Sequence, residues 1–379
     1  MQNGRDVERA QAQAIRSDLD KKMVLLSGPR QVGKSYLARA LMAGFRAPRY
    51  LNYDNAQDRA VIKDEAWSGD TDLLILDELH KLPRWKNYLK GIYDTRRPQL
   101  RILVTGSARL ETFRQSGDSL AGRYFLHRLQ PVSPAEATRA GIAAGLEQFL
   151  DSGGFPEPFL AEDPRDVGRW RRQYLDGLIR EDILNFENVH ELRAISLLVD
   201  LLRERVASPL SYQSLAEDLG IAPNTVKRYI EILEALYIVF CVQPYTSSIA
   251  RSLRRQPKLY LYDTGLVKGD QGQRLENLVA VCLQKSLFYL EDRDGKRRSL
   301  DYLRTKEGKK VDFVTVESGR PVLMVEVKAS DRSLSAGLHY FHDRYGVPGV
   351  QLVGDLRVEN EQEGLSVRQA LPWLQGLEI

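Results

Sequence analysis

The chain has little sulfur and no long apolar stretch. Two of its 379 residues are cysteine, Cys241 and Cys282, far apart and each inside an apolar run. That excludes a disulfide framework and a cysteine-based zinc site, and it reads as reduced core residues of a cytosolic protein. No run approaches the roughly 20 apolar residues of a membrane helix. Leu236-Tyr237-Ile238-Val239-Phe240-Cys241-Val242 is among the longest, and it reads as a strand. The amino-terminal residues lack the apolar region of an export signal, so a cytoplasmic protein with no membrane partner is expected. A large excess of one charge is also lacking. Lys and Arg number 55 against 51 Asp and Glu, a net +4, which permits a nucleic-acid partner without requiring one. Otherwise the composition is ordinary, 43% hydrophobic and 28% charged, and the length predicts two or three domains.

What is present starts with Gly28-Pro29-Arg30-Gln31-Val32-Gly33-Lys34-Ser35, which fits G-x-x-x-x-G-K-[ST]. The glycines let the backbone wrap so that its N–H groups face phosphate oxygens. Lys34 would reach the β- and γ-phosphates of ATP, and the Ser35 hydroxyl would ligate Mg²⁺. The flanks agree. Met23–Ser27 reads as a buried strand, and the residues from Ser35 to Leu41 read as a helix whose N-terminus faces the phosphate.

Asp72-Leu73-Leu74-Ile75-Leu76-Asp77-Glu78 is a second apolar strand, ending in two acids. Asp77 would hold the Mg²⁺ shell and Glu78 would polarise the attacking water. Leu100–Ser107 is a third such strand, and Thr105 and Ser107 at its polar end are candidates to sense the γ-phosphate. Strands alternating with helices imply a parallel sheet whose carboxyl ends carry the ligand site. Arg123, past this strand, is a candidate arginine supplied to a neighbouring subunit. Ser133 and Glu136 suggest a capping box.

Downstream, Gly153-Gly154-Phe155-Pro156 is a turn-rich boundary. Ser211–Leu219 reads as a helix and Gly220-Ile221-Ala222-Pro223 as a turn. A second helix from Asn224 and then a strand complete the pattern of a winged helix-turn-helix. Lys227 and Arg228 could meet phosphates from the second helix. Tyr245–Lys258 is a basic linker that includes Arg254 and Arg255. In the last third a helix carries Glu276, and Asp312, Glu326 and Lys328 form a D…E-x-K pattern on strands. Two carboxylates can hold Mg²⁺ while a lysine orients water for phosphodiester attack. The alternative is a cross-strand ion pair. Lys310, beside Asp312, would repel a metal and attract phosphate.

Together these motifs resemble a prokaryotic family of AAA-type ATPases that carry a C-terminal restriction-endonuclease-like domain. The matching pieces include the phosphate loop, Leu76-Asp77-Glu78, Thr105-Gly106-Ser107, Leu120-Ala121-Gly122-Arg123, Gly153-Gly154-Phe155-Pro156, Lys258–Gly265, Val311-Asp312-Phe313 and Glu326-Val327-Lys328. The resemblance implies an α/β protein with an AAA-type ATPase core at 1–150. It implies a helical and winged-helix part at 151–245 and a PD-(D/E)xK-like part at 246–379. It also implies that Arg123 is an arginine finger and that Asp312, Glu326 and Lys328 share a site. His80 stands where the family often has glutamine, and Lys310 where an acid is frequent. The expected activity is ATP hydrolysis coupled to DNA, branched DNA included, by a homo-oligomeric ring, a hexamer above all. An ATP-regulated nuclease and an ATP-controlled protein-binding switch are the alternatives.

Overall fold

The structure is a computed structural model that describes residues 7–106, 120–178, 189–246, 256–305, 307–330 and 333–379. The chain divides into two compact units. One comprises Glu8–Gln130 with Ala235–Tyr237, and the other comprises chiefly Pro131–Glu234 and Ile238–Ile379.

The first unit holds α1 (Gln11–Leu19), β1 (Met23–Ser27), α2 (Lys34–Leu41), β2 (Pro48–Asn52), α3 (Ala56–Lys63), β3 (Leu73–Asp77), α4 (Trp85–Thr95), β4 (Arg101–Thr105) and β5 (Tyr124–Arg128). The strands pair in parallel, in the order β2-β3-β4-β1-β5. β1 and β3 are buried at every position, as expected of strands covered on both faces, whose sequences run apolar without alternation. The register aligns Asn52 with Asp77, Leu26 with Thr105, and Ser27 with Arg128. The carboxyl ends of all five strands therefore share one edge. The core is aliphatic and aromatic, with Leu51, Leu74, Leu76, Leu89 and Val104 at its centre.

The second unit begins with short helices: α5 (Pro134–Arg139), α6 (Leu146–Ser152) and α7 (Pro156–Leu160). Longer ones follow: α8 (Pro164–Gly177), α9 (Val189–Glu204), α10 (Tyr212–Leu219) and α11 (Pro223–Ala235). β6 (Val239–Pro244) and β7 (Lys258–Leu261) lead to α12 (Gln271–Asp294), then β8 (Arg298–Arg304), β9 (Lys310–Glu317) and β10 (Arg320–Lys328). α13 (Ala336–Tyr345), β11 (Gly349–Val353), β12 (Asn360–Gln362), β13 (Leu365–Gln369) and α14 (Ala370–Gln375) complete it. Its mixed sheet has the order β12-β13-β11-β10-β9-β8-β6-β7.

Three local expectations resolve differently. Ser133 caps α5 by accepting from the Glu136 N–H, but the Glu136 carboxylate pairs with Lys285, and both side chains are fully buried. In this core the carboxylate meets an ammonium instead of the Ser133 N–H. α11 starts at Pro223, one residue before the expected Asn224, because proline suits the first helical position. Lys258 belongs to a strand rather than a basic linker, and it is buried.

The Gly153-Gly154 turn meets Asp263 of the Tyr262-Asp263-Thr264-Gly265 motif. Gly153 has φ 68°, and a side chain there would overlap the Asp263 carboxylate. The Arg171 Nε holds the same carboxylate at 2.9 Å. Both motifs are thus accounted for by packing.

Candidate functional site

The loop between β1 and α2 is set by backbone geometry. Gly28 has φ 143°, and a Cβ there would run into the Leu129 carbonyl oxygen. That carbonyl is fixed because the Leu129 N–H donates to the Ser27 carbonyl at 2.8 Å. Gly28 is needed for this close approach as well as for the wrap of the loop. Gln31 and Gly33 also have positive φ, 61° and 99°. Gly33 precedes α2, whose amino end has no side-chain cap. The first-turn N–H groups thus lack a capping side chain and suit an anion, as at other helix N-termini.

Lys34 is buried, and its Nζ donates to the Gly28 and Pro29 carbonyls at 2.9 and 2.6 Å. The ammonium is thereby parked inside the loop that would receive the phosphates. Arg9, also buried, donates from Nη1 to the Val32 carbonyl at 2.8 Å and from Nη2 to the Gln130 carbonyl. It ties the loop to the segment after β5.

Asp77, at the end of β3, is buried, and each of its oxygens accepts a hydroxyl. Tyr50 from β2 donates to Oδ2 and Thr105 from β4 donates to Oδ1. Burial, followed by the neighbouring Asp77 carboxylate, raises the Tyr50 phenol above its ordinary pKa, so it stays a donor. Glu78 follows with left-handed backbone, φ 56°, which swings it out of the strand direction. Its Oε2 lies 3.4 Å from Lys81 Nζ and 3.7 Å from His80 Nε2, and Lys81 also pairs with Asp54 at 2.5 Å. Burial raises the Glu78 carboxyl above the usual glutamate range, and the Lys81 and Lys34 charges offset this in part. A raised carboxyl is a better proton acceptor near neutrality.

The donor set fits the groups the motif implies. A serine hydroxyl and a carboxylate are the hard oxygen ligands that suit Mg²⁺, and the lysine at a helix N-terminus without a side-chain cap suits a polyphosphate.

Of the remaining candidates, Ser107 lies outside the described residues. Arg123 stands at the opposite edge of the sheet from the loop, where its carbonyl accepts from the Met23 N–H. Its guanidinium is bidentate on Asp94, at 2.8 and 3.0 Å.

In the second unit, Glu276, Asp312, Glu326 and Lys328 come together. Lys258, from β7, puts its Nζ 3.0 Å from both Glu276 Oε1 and Asp312 Oδ1. The Tyr260 hydroxyl donates to Glu276 at 2.7 Å, and Lys328 pairs with Glu326 at 2.8 Å. Lys310 is exposed and 3.9 Å from Asp312. Burial raises Glu276 to about 7, aided by the Asp312 charge and opposed by Lys258. Asp312 is held below its ordinary range by Lys258 and Lys310 despite its burial. Burial and the Asp312 charge raise Glu326. Among the described residues, no group of three His, Cys, Asp or Glu side chains is arranged to hold a metal ion.

Lys227 and Arg228 are exposed on α11, Lys227 lying 3.9 Å from Glu231. Arg254 and Arg255 lie outside the described residues. Sequence reasoning missed Arg9, Tyr50, Lys258 and Tyr260 as site residues. The one available signal was for Lys258, a lysine that opens the apolar run Leu259-Tyr260-Leu261.

Residues 20–138 match a family model described as an AAA domain. Residues 143–272 and 271–374 match two domains of unknown function, DUF8612 and DUF4143. The chain is 28% identical over 343 residues to an uncharacterized protein of Mycobacterium tuberculosis, covering 88% of this chain and 76% of that one. It is 22% identical over 374 residues to an uncharacterized protein of Methanocaldococcus jannaschii, covering 85% and 82%. Among solved structures it is similar to a Walker-type ATPase of Pyrococcus abyssi, with TM-score 0.44 and 15% identity over 69% of this chain and 95% of that one. It is also similar to a RuvB variant of Thermotoga maritima, with TM-score 0.31 and 18% identity over 61% and 85%. Among the described residues no helix is long and apolar enough to cross a membrane. Residues 20–138 thus join the Gly28–Ser35 loop geometry to a match with an AAA domain.

Proposed function

We propose that this chain hydrolyses ATP at the Gly28–Ser35 loop and uses the cycle to act on DNA, branched DNA included, as a motor or remodeler. The observation that carries the ATPase part is the single sheet edge shared by the loop, Asp77 and Thr105, with Glu78 next in the chain. When bound, Mg²⁺ would neutralise developing phosphate charge, with Ser35 and Asp77 as the residues to hold it. Lys34 leaves the Gly28 and Pro29 carbonyls and turns to the phosphates. The first-turn amides of α2 bind and orient them. Tyr50 and Thr105 keep Asp77 pointed into the site. Glu78 leaves Lys81 and takes up a proton from the attacking water.

Arg123 serves a neighbouring subunit after release from Asp94, which makes the active form a homo-oligomeric ring, a hexamer above all. Residues 151–245 act as a winged-helix part in which α10 and α11 present Lys227 and Arg228 to phosphates. Residues 246–379 act as a restriction-endonuclease-like part that binds nucleic acid more readily than it cuts it. What supports the DNA part is the succession of α10, a turn and α11, with Lys227 and Arg228 exposed on α11, and contacts of this kind weaken steeply as salt rises. The test is ATP turnover with duplex, single-stranded and four-way-junction DNA. Stimulation by at least one form is expected. Turnover that none of them alters, with no salt-sensitive binding, refutes the DNA part and leaves the ATPase part standing.

A further inference from the structure

In the second unit the Asp312 and Glu326 carboxylates accept from donors of this chain. Asp312 Oδ1 accepts from Lys258, and Oδ2 accepts from the Val327 N–H at 3.2 Å. Glu326 Oε2 accepts from the Asp312 N–H at 3.2 Å, and Oε1 pairs with Lys328. Glu276 Oε1 takes both Lys258 and the Tyr260 hydroxyl. Each oxygen of Asp312 and Glu326 is thus engaged by a donor of this chain.

The Lys258 side chain is only 6% exposed, and its ammonium sits between two carboxylates with the rings of Tyr302 and Phe313 at 5.7 and 6.0 Å. Aromatic faces at that range favour a cation. A divalent ion demands oxygen ligands at about 2.0–2.1 Å for Mg²⁺ and keeps several waters. Its place between Glu276 and Asp312 is filled by the ammonium, and a second cation there would meet a full positive charge at contact distance.

We propose that the Lys258 ammonium takes the position of a divalent metal ion in this carboxylate cluster, making it a metal-free internal ion-pair centre rather than a Mg²⁺-dependent phosphodiesterase site. The cluster keeps the residue types of a hydrolytic centre, while its cation is covalently attached to β7. This inference rests on the carboxylate geometry and not on the ATPase reading. It also assigns a chemical role to the Lys258-Leu259-Tyr260 motif: lysine supplies the charge and tyrosine fixes Glu276 toward it.

The test is Mn²⁺ uptake by the full chain without nucleotide, read from the electron paramagnetic resonance of the free ion. Four proteins are compared: wild type, Asp312→Asn, Lys258→Met and the double variant. Wild type and Asp312→Asn are expected to take up equal amounts, which cancels any contribution from the phosphate loop. Lys258→Met is expected to bind a further equivalent, which Asp312→Asn removes. Added Mg²⁺ should raise the melting temperature of Lys258→Met more than that of wild type. Mn²⁺ uptake by wild type beyond that of Asp312→Asn overturns the proposal. So does a folded Lys258→Met protein that neither binds more Mn²⁺ nor gains more stability from Mg²⁺ than wild type. If Lys258→Met is recovered only unfolded, the wild-type and Asp312→Asn pair decides: equal uptake supports the proposal and excess in wild type overturns it.

Discussion

Removing either hydroxyl that holds Asp77 should loosen the carboxyl end of β3 at the proposed ATP site. Asp77 is 1% exposed, and Tyr50 and Thr105 donate to different oxygens of it. A hydrogen bond to a charged group contributes about 1.5–3 kcal/mol, and a buried carboxylate that loses one has no water to replace it. Tyr50→Phe and Thr105→Val keep the shape of the side chain and delete only the donor. At about 1.36 kcal/mol per decade, local opening of β3 should rise between about 10- and about 150-fold in each variant. Amide hydrogen exchange across Leu73–Asp77 reads this directly, because it reports local opening even in a chain of several units. The two losses should not add, because both act on one carboxylate, and a coupling of about 0.5–3 kcal/mol is expected in the double variant. Exchange within about twofold of wild type in both single variants, or strict additivity in the double one, would refute this account of how Asp77 is positioned.

Three further outcomes are expected. Lys285→Met should cost about 3–5 kcal/mol, because it strands the fully buried Glu136 carboxylate, whereas replacing both partners by apolar residues should recover most of that in a denaturant melt. Burial holds the Glu78 carboxyl above the ordinary glutamate range, and a proton acceptor must be ionised, so kcat/KM should fall as pH drops through that raised value. Lys81→Met removes the largest charge that lowers it and should move this acid limb upward, and an unmoved limb in the pH–rate profile counts against Glu78. Mixing Arg123→Ala with Lys34→Ala subunits should restore part of the lost turnover, and Asp94→Ala should not lower it, whereas a fully active dilute monomer removes the role in trans.

The phosphate loop and the acidic strand end were legible in the sequence because each is local. A glycine spacing, an apolar strand and a following helix lie within a few residues of one another. The hydroxyls on Asp77 were not legible, since they depend on the strand order β2-β3-β4, which no periodicity encodes. Thr105 was found at the right strand end, though as a phosphate sensor, while the structure joins it to Asp77. Lys258 was hidden by its neighbours. It follows a run of basic residues and reads as one more solvated charge, yet α12 and β9 bring Glu276 and Asp312 to its ammonium. Glu136 misled for the opposite reason. Its spacing from Ser133 suits a capping box, but a partner 149 residues away in sequence takes its carboxylate. Long-range charge pairing inside a core overrides local spacing wherever burial makes an unpaired charge costly.

The central claim is that Lys34 binds phosphate and Glu78 acts on water at one P-loop site. The most direct measurement is binding and turnover of Mg²⁺·ATP by Glu78→Gln beside Lys34→Ala. The account predicts that Glu78→Gln retains the nucleotide and stops hydrolysis, while Lys34→Ala loses tight binding. Near-normal hydrolysis by Glu78→Gln would contradict it.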